Sequence, residues 1–446
     1  MTRWNEKIKD SKSIYATFLV AALIVIPFGY PSHIHAQATI TVVNLDDEGE
    51  GFNDPREPDN ASTTGGNIGS TIGRQRLVAF QYAANIWASL LDSNVEIIVG
   101  AQFNPLLCEA TNAFLGSTGT NTVHRDFKGA PVSNTWYPAA LANSLSGTDL
   151  APLEDDISAV FNSTIGGTCT FPKAWYYGLD GKPPENTIDF VSIALHELGH
   201  GLGFQTFVDL ATGAKLNNFD DIFMLWLEDH STGELYSEMT NMGRVSASIN
   251  TGNVHWVGPE VINESEGLIS GRDPNGHVEM YAPNPLNPEV SVSHFSASLN
   301  PDELMEPSFT GAIQDVGLAL SLMKDIGWST TLQPLVTTGP ADAIGFNSVT
   351  LKGKVKPNGS PGNYYFEYGT TTDYGSTTPV TGYGSSTIYF LANAEVSSLE
   401  PETKYHFRLV ATNSAGTSFG LDFTFDTIAA TNGGGGGGCF ITVSSK

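Results

Sequence analysis

His196 and His200 stand four residues apart in His196-Glu197-Leu198-Gly199-His200, and this spacing constrains the chain more than any other feature. On a helix, residues four apart share a face, so the two imidazoles can address one metal ion. Glu197 lies one step round the helix, where a carboxylate reaches a water bound to that ion. The competing reading is an amphipathic helix that happens to carry two histidines. The residues before the motif favour the metal. Asn186-Thr187-Ile188-Asp189 supplies polar capping residues and an early acid, and Phe190-Val191-Ser192-Ile193-Ala194-Leu195 is an apolar run that starts a buried helix.

A length of 446 residues allows two or three domains. Residues 1–38 read as a signal peptide outside the fold: Arg3, Lys7, Lys9 and Lys12 precede an apolar run from Ile14 to Phe28, followed by Ala36-Gln37-Ala38. A membrane anchor is the alternative, but Pro27 breaks the run and it is short for a span. No transmembrane segment is expected after signal removal. The formal charge is −26, and it becomes −28 without residues 1–38. Such a chain repels nucleic acid and anionic membranes, so nucleic-acid partners are excluded and the expected location is extracellular. Of the three cysteines, Cys108 and Cys169 form the candidate disulfide of an exported chain, with two free buried thiols as the alternative.

Along the chain, Thr39–Val43 predicts a strand, residues 74–91 a helix carrying Leu77, Phe80, Ala83, Trp87 and Leu91, and Val95–Val99 a second strand. This order sets the metal helix in an α+β domain over residues 39–330. The stretch from Thr206 to Val292 reads as a long insertion of strands and turns, and Gly317–Trp328 as a closing helix. From 331 to 428 the pattern changes to short alternating strands. Tyr405, Phe407, Leu409 and Ala411 face one side of one of them. Leu399-Glu400-Pro401-Glu402-Thr403-Lys404-Tyr405, followed by Asn413-Ser414-Ala415-Gly416, resembles the late strands of a fibronectin type III domain, with Tyr405 where that all-β sandwich keeps a tyrosine corner. A spacer or a binding module is the expected role.

Residues 429–446 form a tail in which Gly433–Gly438 and then Cys439-Phe440-Ile441 resemble the start of a bacterial C-terminal element, the CFI box, which implies association with the cell surface. Asn60, Asn162 and Asn263 match the N-x-[ST] sequon. The acid-rich stretches Asp46-Asp47-Glu48 and Asp220-Asp221 offer oxygen donors suited to structural calcium, without a recognisable loop grammar. Neither oligomeric state nor cleavage preference can be read from these residues.

A catalytic zinc takes three protein ligands and leaves a fourth position for water. The third donor has two sources here. One is Glu228, in Phe219-Asp220-Asp221-Ile222-Phe223-Met224-Leu225-Trp226-Leu227-Glu228, if a later acid completes the set. The other is a histidine brought in after a turn at Gly203. The compact form of that second grammar needs histidine at 206, where this chain has Thr206. His294, in Ser293-His294-Phe295-Ser296, precedes Pro301-Asp302-Glu303-Leu304-Met305-Glu306-Pro307, and His230, His255 and His277 are reserves.

The H-E-x-x-H helix, Gly203, the distant His294 and the Asp-Glu-Leu-Met run together resemble metzincin zinc metallopeptidases of the leishmanolysin-like type, over roughly residues 70–328. The resemblance implies one Zn2+ bound by His196, His200 and His294, Glu197 as general base, Met305 as the Met-turn, and protein or peptide substrates. It implies a secreted zinc metalloendopeptidase. A surface-binding or adhesion protein on an inactive scaffold is the alternative. The chain has no G-x-S-x-G elbow and no phosphate-binding G-x-x-x-x-G-K-[ST].

Overall fold

The computed structural model describes residues 37–58, 65–288, 290–386 and 388–430. The predicted signal segment up to Ala36, the sequon at Asn60 and the tail with Cys439 lie outside these residues. Of the signal segment only Gln37 and Ala38 are described; Ala38 is buried and its amide donates to the Leu91 carbonyl at 2.9 Å. The chain is a mixed α/β protein with several separate β-sheets. No helix among the described residues is long and apolar enough to cross a membrane.

The first sheet has the order Ile40–Asn44, Ile97–Asn104, Ile157–Asn162 and Gly116–Thr120; the first three strands are parallel, and Gly116–Thr120 runs antiparallel at one edge. Helix α1 (Ile72–Leu90) starts at Thr71, whose hydroxyl accepts the Arg74 amide. Helix α2 (Ala139–Ser146) ends at Gly147, which takes the left-handed conformation (φ 70°) that favours glycine. Helix α3 (Phe190–Leu202) carries the H-E-x-x-H residues His196, Glu197 and His200. Phe103, Phe161 and Phe190 join α3 to the sheet, with ring centroids 5.5 Å apart for Phe103–Phe161 and 4.8 Å for Phe161–Phe190. The Trp87 indole crosses from α1 and donates to the Leu195 carbonyl at 2.9 Å. The position of α3 is therefore set by aromatic packing below and an indole hydrogen bond beside it.

The insertion holds more helix than its sequence predicts. A small sheet of Glu234–Leu235, Leu227–Asp229, Val254–Trp256 and Val278–Glu279 is interrupted by α4 (Asn241–Ala247) and α5 (Pro259–Glu264). Both helices are too short to develop an apolar period, so pattern reading misses them. Tertiary groups hold them in place. The buried Arg244 donates to the carbonyls of Gly213, Tyr236 and Met239. At the start of α5, Asp325 of α6 (Leu318–Asp325) accepts the amides of Glu260 and Val261 and the Trp256 indole. Asp46 and Asp221, two of the five acids considered for calcium, are engaged by the chain itself. Asp46 accepts the amides of Phe52 and Phe103, and Asp221 those of Phe207 and Met224 and the Thr206 hydroxyl. The sequon residue Asn162 is fully buried, and its amide donates to the Phe114 carbonyl.

From Leu335 onward every element is a strand. Leu335–Asp342, Ser348–Lys356 and Phe390–Ser397 form one antiparallel sheet. In the other, Gly362–Gly369 and Lys404–Asn413 pair at the centre. The expected alternation holds: Tyr405, Phe407, Leu409 and Ala411 are all buried, as are Val349, Leu351 and Val355 of the first sheet. The Tyr405 hydroxyl accepts the Glu400 amide at 3.0 Å, a bond back to the chain just upstream.

Cys108 and Cys169 are bonded, with Cα atoms 5.7 Å apart and a sequence separation of 61. The chain-entropy estimate for a loop of this size is about 4 kcal/mol. Replacing both cysteines with alanine is therefore expected to lower the unfolding free energy by about 4 kcal/mol. Denaturant titration measures the loss.

Candidate metal centre

Asp189 caps α3: its carboxylate accepts the Ser192 amide at 3.0 Å and the Ser192 hydroxyl at 2.6 Å. At the other end the chain turns at Gly203 with φ 129°, a region that L side chains rarely adopt. A Cβ there would also come 2.8 Å from Ile326. The turn returns the Phe204 carbonyl to His200, whose Nδ1 donates to it at 2.8 Å. The Trp328 indole donates to the Leu202 carbonyl, so the helix end is satisfied.

His294 completes the arrangement. The Nε2 atoms of His196, His200 and His294 lie 3.1, 3.2 and 3.2 Å from one another. Each Nδ1 donates to a backbone carbonyl: His196 to Leu304, His200 to Phe204 and His294 to Val290, at 2.7–2.8 Å. A carbonyl only accepts, so each neutral ring carries its hydrogen on Nδ1 and turns a bare Nε2 lone pair inward. Three lone pairs at this distance repel unless a cation lies among them. A tetrahedral ion with bonds of about 2.0–2.1 Å sets its donors about 3.3 Å apart, close to the observed spacing.

Burial keeps the rings in the form that binds metal. Desolvation lowers the pKa of His196, lowers that of His200 to about 3 with help from the neighbouring His196, and lowers that of His294 well below the usual imidazole range. Glu197 is only 8% exposed, and desolvation pushes its carboxyl up to about 8. It faces the edge strand at Gly116, where an added Cβ would lie 2.8 Å from its Oε1.

Leu304 and Met305 tie these parts together. The Leu304 carbonyl orients His196, and the Met305 carbonyl accepts the amide of Phe295, next to His294. Met305 is fully buried beneath α3, and a Cβ on Gly199 would come 2.8 Å from its sulfur. Gly199 therefore does specific work inside the motif: it lets the methionine approach the helix backbone. Before His294 the backbone is also unusual. Val292 has φ 69°, rare for a β-branched residue, and is held by a 2.7 Å bond from its amide to the Tyr281 carbonyl.

Thr206, the position where a compact motif would have its third histidine, is occupied otherwise. Its hydroxyl donates to Asp221, and its amide donates to the Ser293 hydroxyl at 3.3 Å. The distant His294 segment thus docks beside that position. Glu228 is not brought to this centre; it groups instead with His230 and His277, two of the reserve histidines, and His255 stacks on His230. Glu228 lies in the strand Leu227–Asp229.

The centre opens into a cleft of about 690 Å³ lined by Gly116, Thr118, Phe171, Tyr281 and Phe309 among others. The Cys108–Cys169 bond links two of its walls, the segments reaching Leu107 and Phe171. Gly116–Thr120 pairs with Ile157–Asn162 on one side and has no strand partner on the other among the described residues. Sequence reasoning missed Gly116, Gly199 and the three orienting carbonyls. A carbonyl leaves no residue-type signal, and the two glycines matter only through what packs against them.

No family model matches the chain, and no curated protein matches it. Among solved structures, the sensor domain of the anti-sigma factor RsgI4 in Pseudobacteroides cellulosolvens is 21% identical, covering 23% of this chain and 100% of its own, with a TM-score of 0.20. The fibronectin type-III domain of human fibronectin type III domain containing protein 3 is 23% identical, covering 23% of this chain and 92% of its own, with a TM-score of 0.17. At these TM-scores neither likeness carries an argument about this chain.

His294→Ala removes one of three inward lone pairs and is expected to cost one equivalent of bound divalent metal per dialysed chain, measured by elemental mass spectrometry. Thr206→Ala is expected to leave this centre's metal in place, because the threonine is bonded to Asp221.

Proposed function

We propose that this chain is an exported zinc-dependent endopeptidase, with a metzincin-like α+β domain over residues 39–330 and a fibronectin type III-like sandwich over 331–428. The observation that carries the reading is the convergence of three bare Nε2 lone pairs, one helical step from the Glu197 carboxylate. Three imidazole donors suit zinc among common divalent ions. When bound, zinc would supply Lewis acidity, lowering the pKa of water toward ~7 and polarising a carbonyl.

The chain's own residues do the rest. The carbonyls of Leu304, Phe204 and Val290 hold the three rings in one tautomer and orientation. Glu197 takes a proton from the attacking water and returns it to the leaving amine. Its burial raises its proton affinity, and a neighbouring cation opposes that rise, which favours a group able both to accept and to release a proton near neutral pH. Removal from bulk water strengthens both effects. Peptide rather than small-molecule substrates are favoured by the Gly116–Thr120 edge strand, whose unpaired side lines the cleft and offers an extended chain backbone hydrogen bonds. On the same strand, Gly116 leaves room for the Glu197 carboxylate.

Export is supported by the Cys108–Cys169 bond together with the signal-like order of residues 1–38. The fibronectin-like reading draws on the two antiparallel sheets and the Tyr405 hydroxyl bond, and a spacer role follows. Glu197→Gln is expected to keep the metal of this centre while lowering cleavage of an unfolded protein such as casein by about 10²–10⁴-fold. Equal cleavage by the variant and the unaltered protein would remove Glu197 as the base. Absence of cleavage in the metal-loaded, unaltered protein across a panel of unfolded proteins would remove the protease reading.

A further inference from the structure

We infer that the insertion carries a second divalent-metal site, formed by Glu228, His230 and His277 and separate from the centre on α3. Glu228 and His230 are two residues apart at the end of Leu227–Asp229, the spacing that sends side chains to one face of a strand. His277 enters from the turn before Val278–Glu279. His230 Nε2 lies 3.1 Å from Glu228 Oε1 and 2.9 Å from His277 Nδ1, and one donor atom from each residue falls within 4.8 Å of the others. These separations approach the donor spacing of about 3.3 Å around a tetrahedral ion.

Proton accounting argues for a cation. His230 Nε2 holds one hydrogen at most, yet it faces a carboxylate, which only accepts, and a second ring nitrogen. If that hydrogen goes to His277 Nδ1, the Glu228 carboxylate 3.1 Å away is left facing a nitrogen with nothing to donate to it. If it goes to Glu228, the two imidazole nitrogens meet at 2.9 Å with either two hydrogens or one misdirected lone pair. A divalent cation satisfies these three donors together, two imidazole nitrogens and one carboxylate oxygen. Two imidazoles and a carboxylate suit zinc better than calcium or magnesium.

The surroundings are built to hold this geometry. The His230 ring stacks on His255 with centroids 3.8 Å apart and planes 13° apart. Asp273 is fixed by the amides of Asn275 and His277, at 2.8 and 2.9 Å to its Oδ1. His230 and Glu228 retain 20% and 24% of their side-chain exposure, so an ion has access from solvent. An ion here fastens the end of one insertion strand to the turn that begins the path to His294. Along that path the Tyr281 amide donates to the His294 carbonyl, and Ser296 donates to the Glu279 carbonyl. The site is thus a structural staple for the segment that delivers the distant histidine.

The test is metal content of the full exported chain, loaded with zinc and dialysed, by elemental mass spectrometry. About two equivalents are expected in the unaltered protein. His230→Ala and His277→Ala are each expected to lose one, His294→Ala to lose the other, and His230→Ala with His294→Ala to lose both. Glu228→Gln, which keeps the side chain's shape, is expected to bind zinc at this site at least tenfold more weakly and guards against a folding defect in the histidine variants. Zinc should also raise the melting temperature of the His294→Ala protein, through the remaining site, and this response should vanish when His230→Ala is added. One equivalent in the unaltered protein with no loss in His230→Ala or His277→Ala overturns the site, as does a second equivalent that survives both substitutions. These counts do not depend on proteolysis, so failure of the protease reading would be seen separately.

Discussion

Everything at the α3 centre depends on the contact between Met305 and the helix backbone at Gly199. The thioether lies where any side chain on Gly199 would stand, and the residues on either side of the contact then fall into place. With Met305 seated, the Leu304 carbonyl meets His196 and the Met305 carbonyl meets Phe295, so helix and distant loop are locked in one register. Burying such a side chain contributes about 1.5–3 kcal/mol, enough to hold a loop against its conformational freedom but not to draw three histidines together unaided. The hydrogen bonds that each ring makes through Nδ1 to a backbone carbonyl add to this.

The electrostatics follow from the same enclosure. Partial desolvation at the cleft floor favours the neutral form of the three rings, His196 being half-buried, and raises the proton affinity of Glu197. Neutral ligands leave the charge of a bound ion uncompensated, so that charge acts on whatever shares the cleft, Glu197 included. The insertion builds its rigidity differently. Arg244 and Asp325 are largely buried, and each gathers several backbone groups, fastening short helices that lack a core of their own. The His230 cluster belongs to that pattern of polar groups holding irregular chain.

Much of the architecture was legible before any coordinates. Helix α1 begins within two residues of its expected start, because a long amphipathic segment repeats its apolar positions often enough to be unmistakable. The strands around Val349 and Phe407 were equally plain from their alternation. A polar start to α3 within 186–189 followed from the chemistry of helix starts, and the structure makes Asp189 its cap. Helices α4 and α5 were invisible, since their stability comes from Arg244 and Asp325 reaching across from elsewhere. Glu228 was a reasonable candidate for the α3 centre on residue type alone, but strand pairing sets it opposite His255 and within reach of His230.

Read alone, the chain settles the chemistry of individual residues and the local geometry of regular elements: two histidines on one helix face, a glutamate beside them, a glycine able to turn the chain, a cysteine pair. Those follow from short-range periodicity and backbone sterics, which depend on neighbours in sequence. Tertiary structure decides which distant groups meet. His294 arrives beside Thr206, Met305 slides under Gly199, three carbonyls select the ring tautomers, and His230 finds His277. Such meetings depend on packing between residues as many as 108 positions apart in the chain, and no local pattern encodes them.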